Sequence, residues 1–346
     1  MKTIYQWAII GAGPAGIAAV GKLLDHGIAA HDILWLDPYF KVGDLGRLWK
    51  NVSSNTQVKL FTDFLNNTQS FLYHQSPDFK LKSLPPKETC TLKYMVEPLQ
   101  WVTDHLCERV NAEKSTIKNM ALNQHVWSLH EEARTFHARN VILATGAVPL
   151  NLDYPELDVI PFETAIDKAL LSQIINPDKT YGVFGSSHSA IIIIRYLVEL
   201  GVKKVINFYR SPCRYAIELD DWILFDNTGL KGQTADWARQ YIDGVWPKNL
   251  VRHNSNEANL LRYLPDCHQV IYAVGFNARH MISMGDYAHF NYHPYTGIIG
   301  PGLFGVGIGY PEKKQTPLGD TEWQVGLWKF IQYINKIMPI WFQYHT

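Results

Sequence analysis

The chain has 346 residues, 47% hydrophobic and 13% aromatic, with 32 basic and 32 acidic side chains and a formal net charge of zero. That length suggests two domains of ordinary size, and that composition excludes a disordered chain. A balanced charge gives no global field for nucleic acid or an anionic membrane surface, and nucleic acid is not expected as a partner.

In chain order, Ile4 to Ile10 reads as a strand, Ile17 to Leu24 as helical, and Ile33 to Leu36 as a second strand, the βαβ pattern of a parallel sheet. Pro38 to Pro98 is loop-rich, polar and aromatic, with helix around Val58 to Leu65. Met95 to Val110 carries Val96, Leu99, Val102, Leu106 and Val110 at helical spacing. Ile117 to Leu122, Val126 to His130 and Thr135 to His137 suggest a small antiparallel meander, with Val141 to Leu143 a separate buried strand. The opening pattern then recurs: strand Tyr181 to Phe184, helix Ser187 to Leu200, strand Val205 to Tyr209. A strand from Gln269 to Val274 and a Gly-rich stretch from Gly297 to Gly309 precede the tail.

The apolar tail, Leu327 to Phe342, is interrupted by Lys329 and Lys336 and falls short of the ~20 apolar residues of a membrane span. It reads as a terminal helix docked on the body, with peripheral membrane contact as the lesser alternative. Cys90, Cys107, Cys213 and Cys267 form no CxxC or CxxxxC pair, which argues against a metal knot, a disulfide scaffold and a redox dithiol alike. They are expected as buried free thiols in a cytoplasmic protein. The first apolar run leads into a Gly-rich turn rather than a cleavage site, so no signal peptide is expected.

That turn is Gly11-Ala12-Gly13-Pro14-Ala15-Gly16. Gly11 permits a tight turn, Gly13 lets a pyrophosphate approach the backbone, and Gly16 lets the helix pack close to the sheet; the helix N-terminus supplies unpaired N–H groups. Asp37 ends the next strand, 21 residues after Gly16, where a carboxylate can accept hydrogen bonds from a ribose diol. Gly185-Ser186-Ser187-His188-Ser189-Ala190 is a degraded version in which Ser187 and Ala190 replace glycines, and the hydroxyls of Ser187 and Ser189 can donate to phosphate. The strand after it ends at Arg210, with Arg214 nearby and no acid at the ribose position, which favours a 2′-phosphate and hence NADPH over NADH. His188 reads as a helix-start residue, not a catalytic one.

Ala144-Thr145-Gly146, after a strand and at this distance from GxGPAG, resembles the short motif by which two-dinucleotide flavoproteins close the FAD domain and cross to the NAD(P) domain. Tyr272 to Phe276 resembles the second crossover. Gly46-Arg47-Leu48-Trp49, Ser54-Asn55-Thr56 and Phe61-Thr62-Asp63-Phe64 resemble the GGxW, SNT and FSDF elements of flavin-containing monooxygenases, a branch of the pyridine nucleotide-disulfide oxidoreductase superfamily, here without the redox dithiol. On that resemblance Arg47 and Trp49 lie at the flavin site and Asn55 beside the isoalloxazine, where oxygen reacts. On the residues alone, Trp49 is equally a core aromatic and Asn55 a turn or cap residue. Two departures stand out. The FxGxxxH fingerprint is lost, its stretch Pro161 to Asp167 keeping only Phe162, and the C-terminal Gly-Asp is replaced by Leu303 to Gly309, so that backbone around Gly307 would hold the ribityl chain.

The expected fold is α/β, two Rossmann-like three-layer dinucleotide-binding domains with the NADP domain (156–285) inserted between the two parts of the FAD domain (1–155 and 286–346). The expected function is hydride transfer from NADPH to FAD and then to oxygen or a small acceptor. The rivals are a reductase or oxidase without oxygenation and a non-catalytic cofactor-binding sensor or interaction protein. Glu218 to Trp246, with Asp220, Asp221, Trp222, Trp237 and Trp246, could shape a substrate or partner surface or pack as a lid, and exposed aromatics are compatible with a homodimer.

Overall fold

The computed structural model describes residues 3–154, 156–220, 222–285 and 289–343; Asp221 and the expected boundary residues 155 and 286 lie outside them. Strand β1 (Ile4–Ile10) leads through α1 (Pro14–Asp25) to β2 (Ile33–Leu36), parallel to β1 from Trp7–Ile33 to Ile10–Leu36. The segment read as loop-rich holds α2 (Gly43–Arg47), β3 (Ser53–Gln57), α3 (Val58–Asn66) and β4 (Thr89–Thr91). Then come α4 (Lys93–Arg109), β5 (Asn111–Glu113), β6 (Asn119–Asn123), β7 (Val126–His130), β8 (Thr135–Leu143) and β9 (Ala147–Pro149).

Strand β8 corrects the sequence reading, which splits it in two. It is one strand, antiparallel to β7 at its start and parallel to β1 along its length. Exposed Arg139 and polar Asn140 interrupt its apolar pattern, yet Asn140 is buried and donates from Nδ2 to the Gln6 carbonyl at 3.2 Å.

The middle of the chain builds α5 (Phe162–Ala165), α6 (Lys168–Ile174), β10 (Thr180–Phe184), α7 (His188–Glu199) and β11 (Lys204–Tyr209). These are followed by the hairpin β12 (Ile217–Glu218) and β13 (Ile223–Leu224), then α8 (Gly232–Tyr241), β14 (Leu250–Asn254), α9 (Glu257–Tyr263), β15 (Gln269–Tyr272) and β16 (Phe276–Ala278). The chain ends in β17 (Ile298–Gly300), β18 (Leu303–Gly305), the hairpin β19 (Glu312–Gln315) and β20 (Thr321–Gln324), and α10 (Leu327–Trp341).

Two sheets result. The first runs β17-β18-β8-β1-β2-β5, with β7 and then β6 attached to β8, and draws strands from both ends of the chain. The second, β14-β11-β10-β15, is parallel throughout and comes only from the middle. Between the sheets the chain crosses twice, and the crossings pair with each other: β9 is antiparallel to β16 from Ala147–Ala278 to Pro149–Phe276.

The central strands are buried on both faces, as a covered parallel sheet requires. Trp7 and Ile9 pack with residues of α1, α3, α4 and α10, while Ala8, Ile10, Leu34 and Leu36 pack with Ile117, Met120, Trp127 and Leu129. Phe330, Ile331, Ile334, Ile337, Met338 and Trp341 bury the apolar stripe of α10 in the first of these clusters. The tail is thus a helix docked on the body, and no helix among the described residues is long and apolar enough to cross a membrane. The cysteines are all free, as expected, but half-buried rather than buried.

Candidate functional site: paired glycine turns and an interlobe cavity

Both glycine turns sit at the C-terminal edge of their sheets, between the two central strands where connections leave in opposite directions. This is where open α/β sheets bind ligands. The two turns match bond for bond. Gly11 N–H donates to the Leu36 carbonyl at 2.8 Å and Ala144 N–H to the Ile10 carbonyl at 2.9 Å; Gly185 N–H donates to Phe208 and Ala273 N–H to Phe184, both at 2.9 Å. Gly11 and Gly185 have φ of +114° and +121°, and a Cβ on either would lie 2.3 Å from a backbone oxygen, that of Ala144 or Ala273. Only glycine fits such a position.

The first turn keeps its backbone open. A Cβ at Gly13 would meet nothing nearer than 4.0 Å, and no side chain caps α1, which starts at Pro14. Gly16 closes the helix onto the turn, its Cβ position 2.0 Å from the Gly11 oxygen. Opposite, Gly307 (φ +89°) lies against Ala15, so that the Gly-rich C-terminal stretch borders the same helix start. Such an open, uncapped N-terminus suits a pyrophosphate.

Asp37 stands where expected, 8% exposed at the end of β2. Its carboxylate accepts from Ala12 N–H at 2.8 Å on one oxygen, and from Tyr39 and Phe40 N–H at 2.8 Å on the other. Asp37 thus ties the strand end to the glycine turn and keeps roughly one of its four acceptor positions for a ribose hydroxyl. Arg47 lies with its guanidinium carbon 3.9 Å from the Tyr39 ring centroid and its Nη1 3.6 Å from Asp44 Oδ1.

Thr145 and Gly146 (φ +78°) form the turn after β8, and a residue that the sequence did not single out organises it. Arg279 pairs with Asp44 at 2.6 Å and donates to the carbonyls of Thr145 at 3.4 Å and Ala147 at 3.3 Å. It therefore joins α2, the Thr145 turn and the second crossover. Its position after Phe276, in the crossover stretch, was the only signal available.

Residues 49–57 are tied to the first lobe through β3 and β4, paired from Ser53–Thr91 to Gln57–Thr89, and also lie against the second. Trp49 packs edge-on to Phe276 at 5.7 Å, Val52 is buried in the second lobe's core, and Asn51 donates to Asp167 at 2.8 Å. The indole N–H of Trp49 is buried with no acceptor among the described residues, which costs about 1–3 kcal/mol unless a bound group supplies one. His188 points Nε2 at the Ser53 carbonyl, 3.2 Å away, and burial lowers its pKa. It therefore links α7 to β3, consistent with its reading as a helix-start residue. Ser187 is the N-cap of α7 and makes no capping bond, Ser189 is half-buried in the first turn, and Arg210 is exposed at the end of β11.

Two residues beyond Ser53, Asn55 lines a cavity of about 550 Å³ between the lobes. Its walls include Gln57 and Thr89 from the first lobe, Lys231 and Gln233 from the second, and Trp328 and Lys329 at the start of α10. Asp226 accepts from Lys231 and from Lys329, and Asn227 binds both Lys329 at 2.5 Å and Glu322 at 2.7 Å. The lysine that interrupts the apolar tail is thus the one that closes a charged network across the cavity wall. Burial opposes the charge of Asp226, but Lys329 and Lys231 outweigh it and hold the carboxyl below the usual range.

The thiols are chemically quiet. Burial pushes Cys90 up to about 11 and Cys107 and Cys267 up to about 12, and also raises Cys213. A redox thiol needs the opposite shift. Among the described residues no group of His, Cys, Asp and Glu is arranged to hold a metal ion.

The chain is 29% identical to Monooxygenase AgnR1 of Paecilomyces divaricatus over 384 residues, covering 96% of this chain and 97% of that protein. Its fold is similar to a flavin-containing monooxygenase from Stenotrophomonas maltophilia, with a TM-score of 0.66 at 13% identity over 99% of each chain. It is also similar to an ornithine N-hydroxylase of Kutzneria sp. 744, with a TM-score of 0.64 at 13% identity over 99% of each chain. The pyridine nucleotide-disulphide oxidoreductase family matches residues 8–220. With both glycine turns inside that match, the chain belongs to the pyridine nucleotide-disulphide oxidoreductase family and is an oxidoreductase.

Proposed function

We propose that the protein is an FAD-dependent, NADPH-using monooxygenase of a small molecule. The observation that carries this reading is the pair of matched glycine turns with Asn55 and its cavity between the lobes they belong to. The likeness over nearly the whole chain to a protein named as a monooxygenase supports it. Gly11, Gly13, Pro14, Ala15 and Gly16 would hold the FAD pyrophosphate; Asp37 the adenosine ribose; and Arg47, Trp49, Thr145, Gly146 and Gly307 the rest of the group. Gly185, Ser187, Ser189 and Arg210 would hold NADPH. In this arrangement residues 1–155 and 286–346 form the FAD domain and 156–285 the inserted NADP domain.

FAD held there would supply the hydride acceptor for the nicotinamide and the electron donor for oxygen. The chain's own part is to keep the two rings face to face, to exclude water, and to admit the substrate to the Asn55 cavity. The raised thiol pKa values disfavour a thiolate route for the electrons.

The test is spectroscopic. Purified protein should carry flavin absorbance and bleach with NADPH faster than with NADH under anaerobic conditions. On admitting oxygen with substrate, oxygenated product should match the NADPH consumed. Hydrogen peroxide in place of product would make the protein an oxidase, and a colourless protein that cannot be reconstituted with FAD would refute the reading.

A further inference from the structure

The bond-for-bond match of the two turns assigns more than the glycines. Leu36 and Phe208 correspond, because each carbonyl accepts the N–H of the first loop glycine. One residue on, Tyr209 therefore takes the place of Asp37. One residue back, Asn207 takes the place of Trp35, and both donate to the loop glycine's carbonyl: Trp35 Nε1 to Gly11 at 2.9 Å and Asn207 Nδ2 to Gly185 at 2.8 Å. At the second nucleotide's ribose position the carboxylate of the first lobe is replaced by a phenol.

Arg252 lies opposite Asn207 on the neighbouring strand β14. Its Nε donates to Asn207 Oδ1 at 2.8 Å, and its guanidinium carbon is 4.6 Å from the centroid of the Tyr209 ring. Nη2 reaches to 3.9 Å from Cys213 Sγ, in the loop beyond β11. The side chain thus extends from mid-strand to the C-terminal edge, where the nucleotide turn is. Arg214, the other arginine of this loop, has its guanidinium carbon 5.0 Å from the Phe225 ring centroid. Among the described residues no carboxylate pairs with Arg252 or Arg210.

We propose that Arg252 is a specificity-determining residue that, with Arg210, clamps the 2′-phosphate of the nicotinamide nucleotide. This rests on the NADPH reading above and adds to it a residue outside the βαβ motif. Asn207 fixes the guanidinium relative to the glycine turn, because the same amide holds the Gly185 carbonyl. Tyr209 supports one face of the guanidinium. The Nη edge, where Nη2 makes only the long 3.9 Å contact with Cys213 Sγ, can then pair with phosphate in the two-pronged geometry that an ammonium cannot supply. Arg210 contributes a second charge from the exposed strand end.

Calorimetry on the purified holoprotein with adenosine 2′,5′-bisphosphate and with 5′-AMP separates this role from a structural one. Arg252→Gln should weaken the bisphosphate about tenfold or more, the range for losing a charge-assisted bond, and leave 5′-AMP within about twofold. Arg252→Lys keeps the charge without the fork and should recover only part of the loss. Equal weakening of both ligands, or no weakening of either, would overturn the proposal. A wild-type protein that binds the two ligands equally would instead overturn the NADPH reading, and with it the phosphate this clamp is assigned to hold.

Discussion

The matched turns make a paired prediction in which each site controls for the other. Alanine at Gly11 or Gly185 meets the same obstacle: a Cβ 2.3 Å from a carbonyl oxygen, at a φ that side chains rarely adopt. Real Cβ contacts essentially never fall under 3.0 Å, so the loop must open by about 0.7 Å in either case. A non-glycine residue at such a φ costs about 1–3 kcal/mol. Taking about 2 kcal/mol as lost from nucleotide binding corresponds to roughly thirtyfold in affinity. Gly11→Ala should therefore purify with little flavin, and the FAD dissociation constant, read by fluorescence quenching on reconstitution, should rise about thirtyfold. Gly185→Ala should keep its flavin and lose affinity for NADPH by a similar factor, read as the concentration dependence of anaerobic flavin reduction. Full flavin occupancy with unchanged affinity in Gly11→Ala would refute the assignment of that turn. Loss of flavin from Gly185→Ala, with NADPH affinity intact, would show that the two sites have been assigned in reverse.

Three further outcomes are expected. Asp226→Asn leaves Lys231 and Lys329 facing each other and should cost about 2 kcal/mol or more in denaturant unfolding. Because the folded-state pKa of Asp226 is depressed, its contribution is complete above the unfolded value near 3.9 and lost as pH falls through the folded value. The gap between wild type and variant should accordingly hold from neutral pH to about pH 4 and close below it; a gap that shrinks between pH 8 and 6 would contradict this. Replacing all four cysteines by serine should leave NADPH-dependent flavin reduction within about twofold, since raised thiol pKa values disfavour thiolate chemistry. A loss of electron transfer with flavin retained would restore a thiol mechanism. Asn55→Ala should leave flavin reduction unchanged and divert oxygen to peroxide, measured with peroxidase; slowed reduction with product yield intact would place Asn55 on the nucleotide side instead.

Much of this arrangement was legible in the sequence because it is local. A glycine turn, the strand before it and the helix after it are specified within a few residues, and β2 spans the four residues expected of it, Ile33–Leu36. What stayed hidden depends on distance along the chain. Strand β8 was obscured by Asn140, whose side-chain N–H donates to the Gln6 carbonyl, more than a hundred residues away. Arg279 acquires its role only when the second crossover returns beside the first. Lys329 reads as a flaw in an apolar helix until Asp226 is brought against it. The segment from Trp49 to Gln57 was legible by resemblance, but its placement against the second lobe rests on partners such as Asp167 and Phe276 that no spacing rule connects to it.

The short ladder between β9 and β16 has a mechanical meaning. Were the two crossings independent tethers, the lobes could slide past one another as well as rotate. Hydrogen-bonded side by side from Ala147–Ala278 to Pro149–Phe276, they behave as a torsion bar that bends and twists about one line and resists shear. Phe276, at one end of that bar, also packs on Trp49 and on Phe162. A twist about that line would bear first on Trp49, four residues before the strand that carries Asn55.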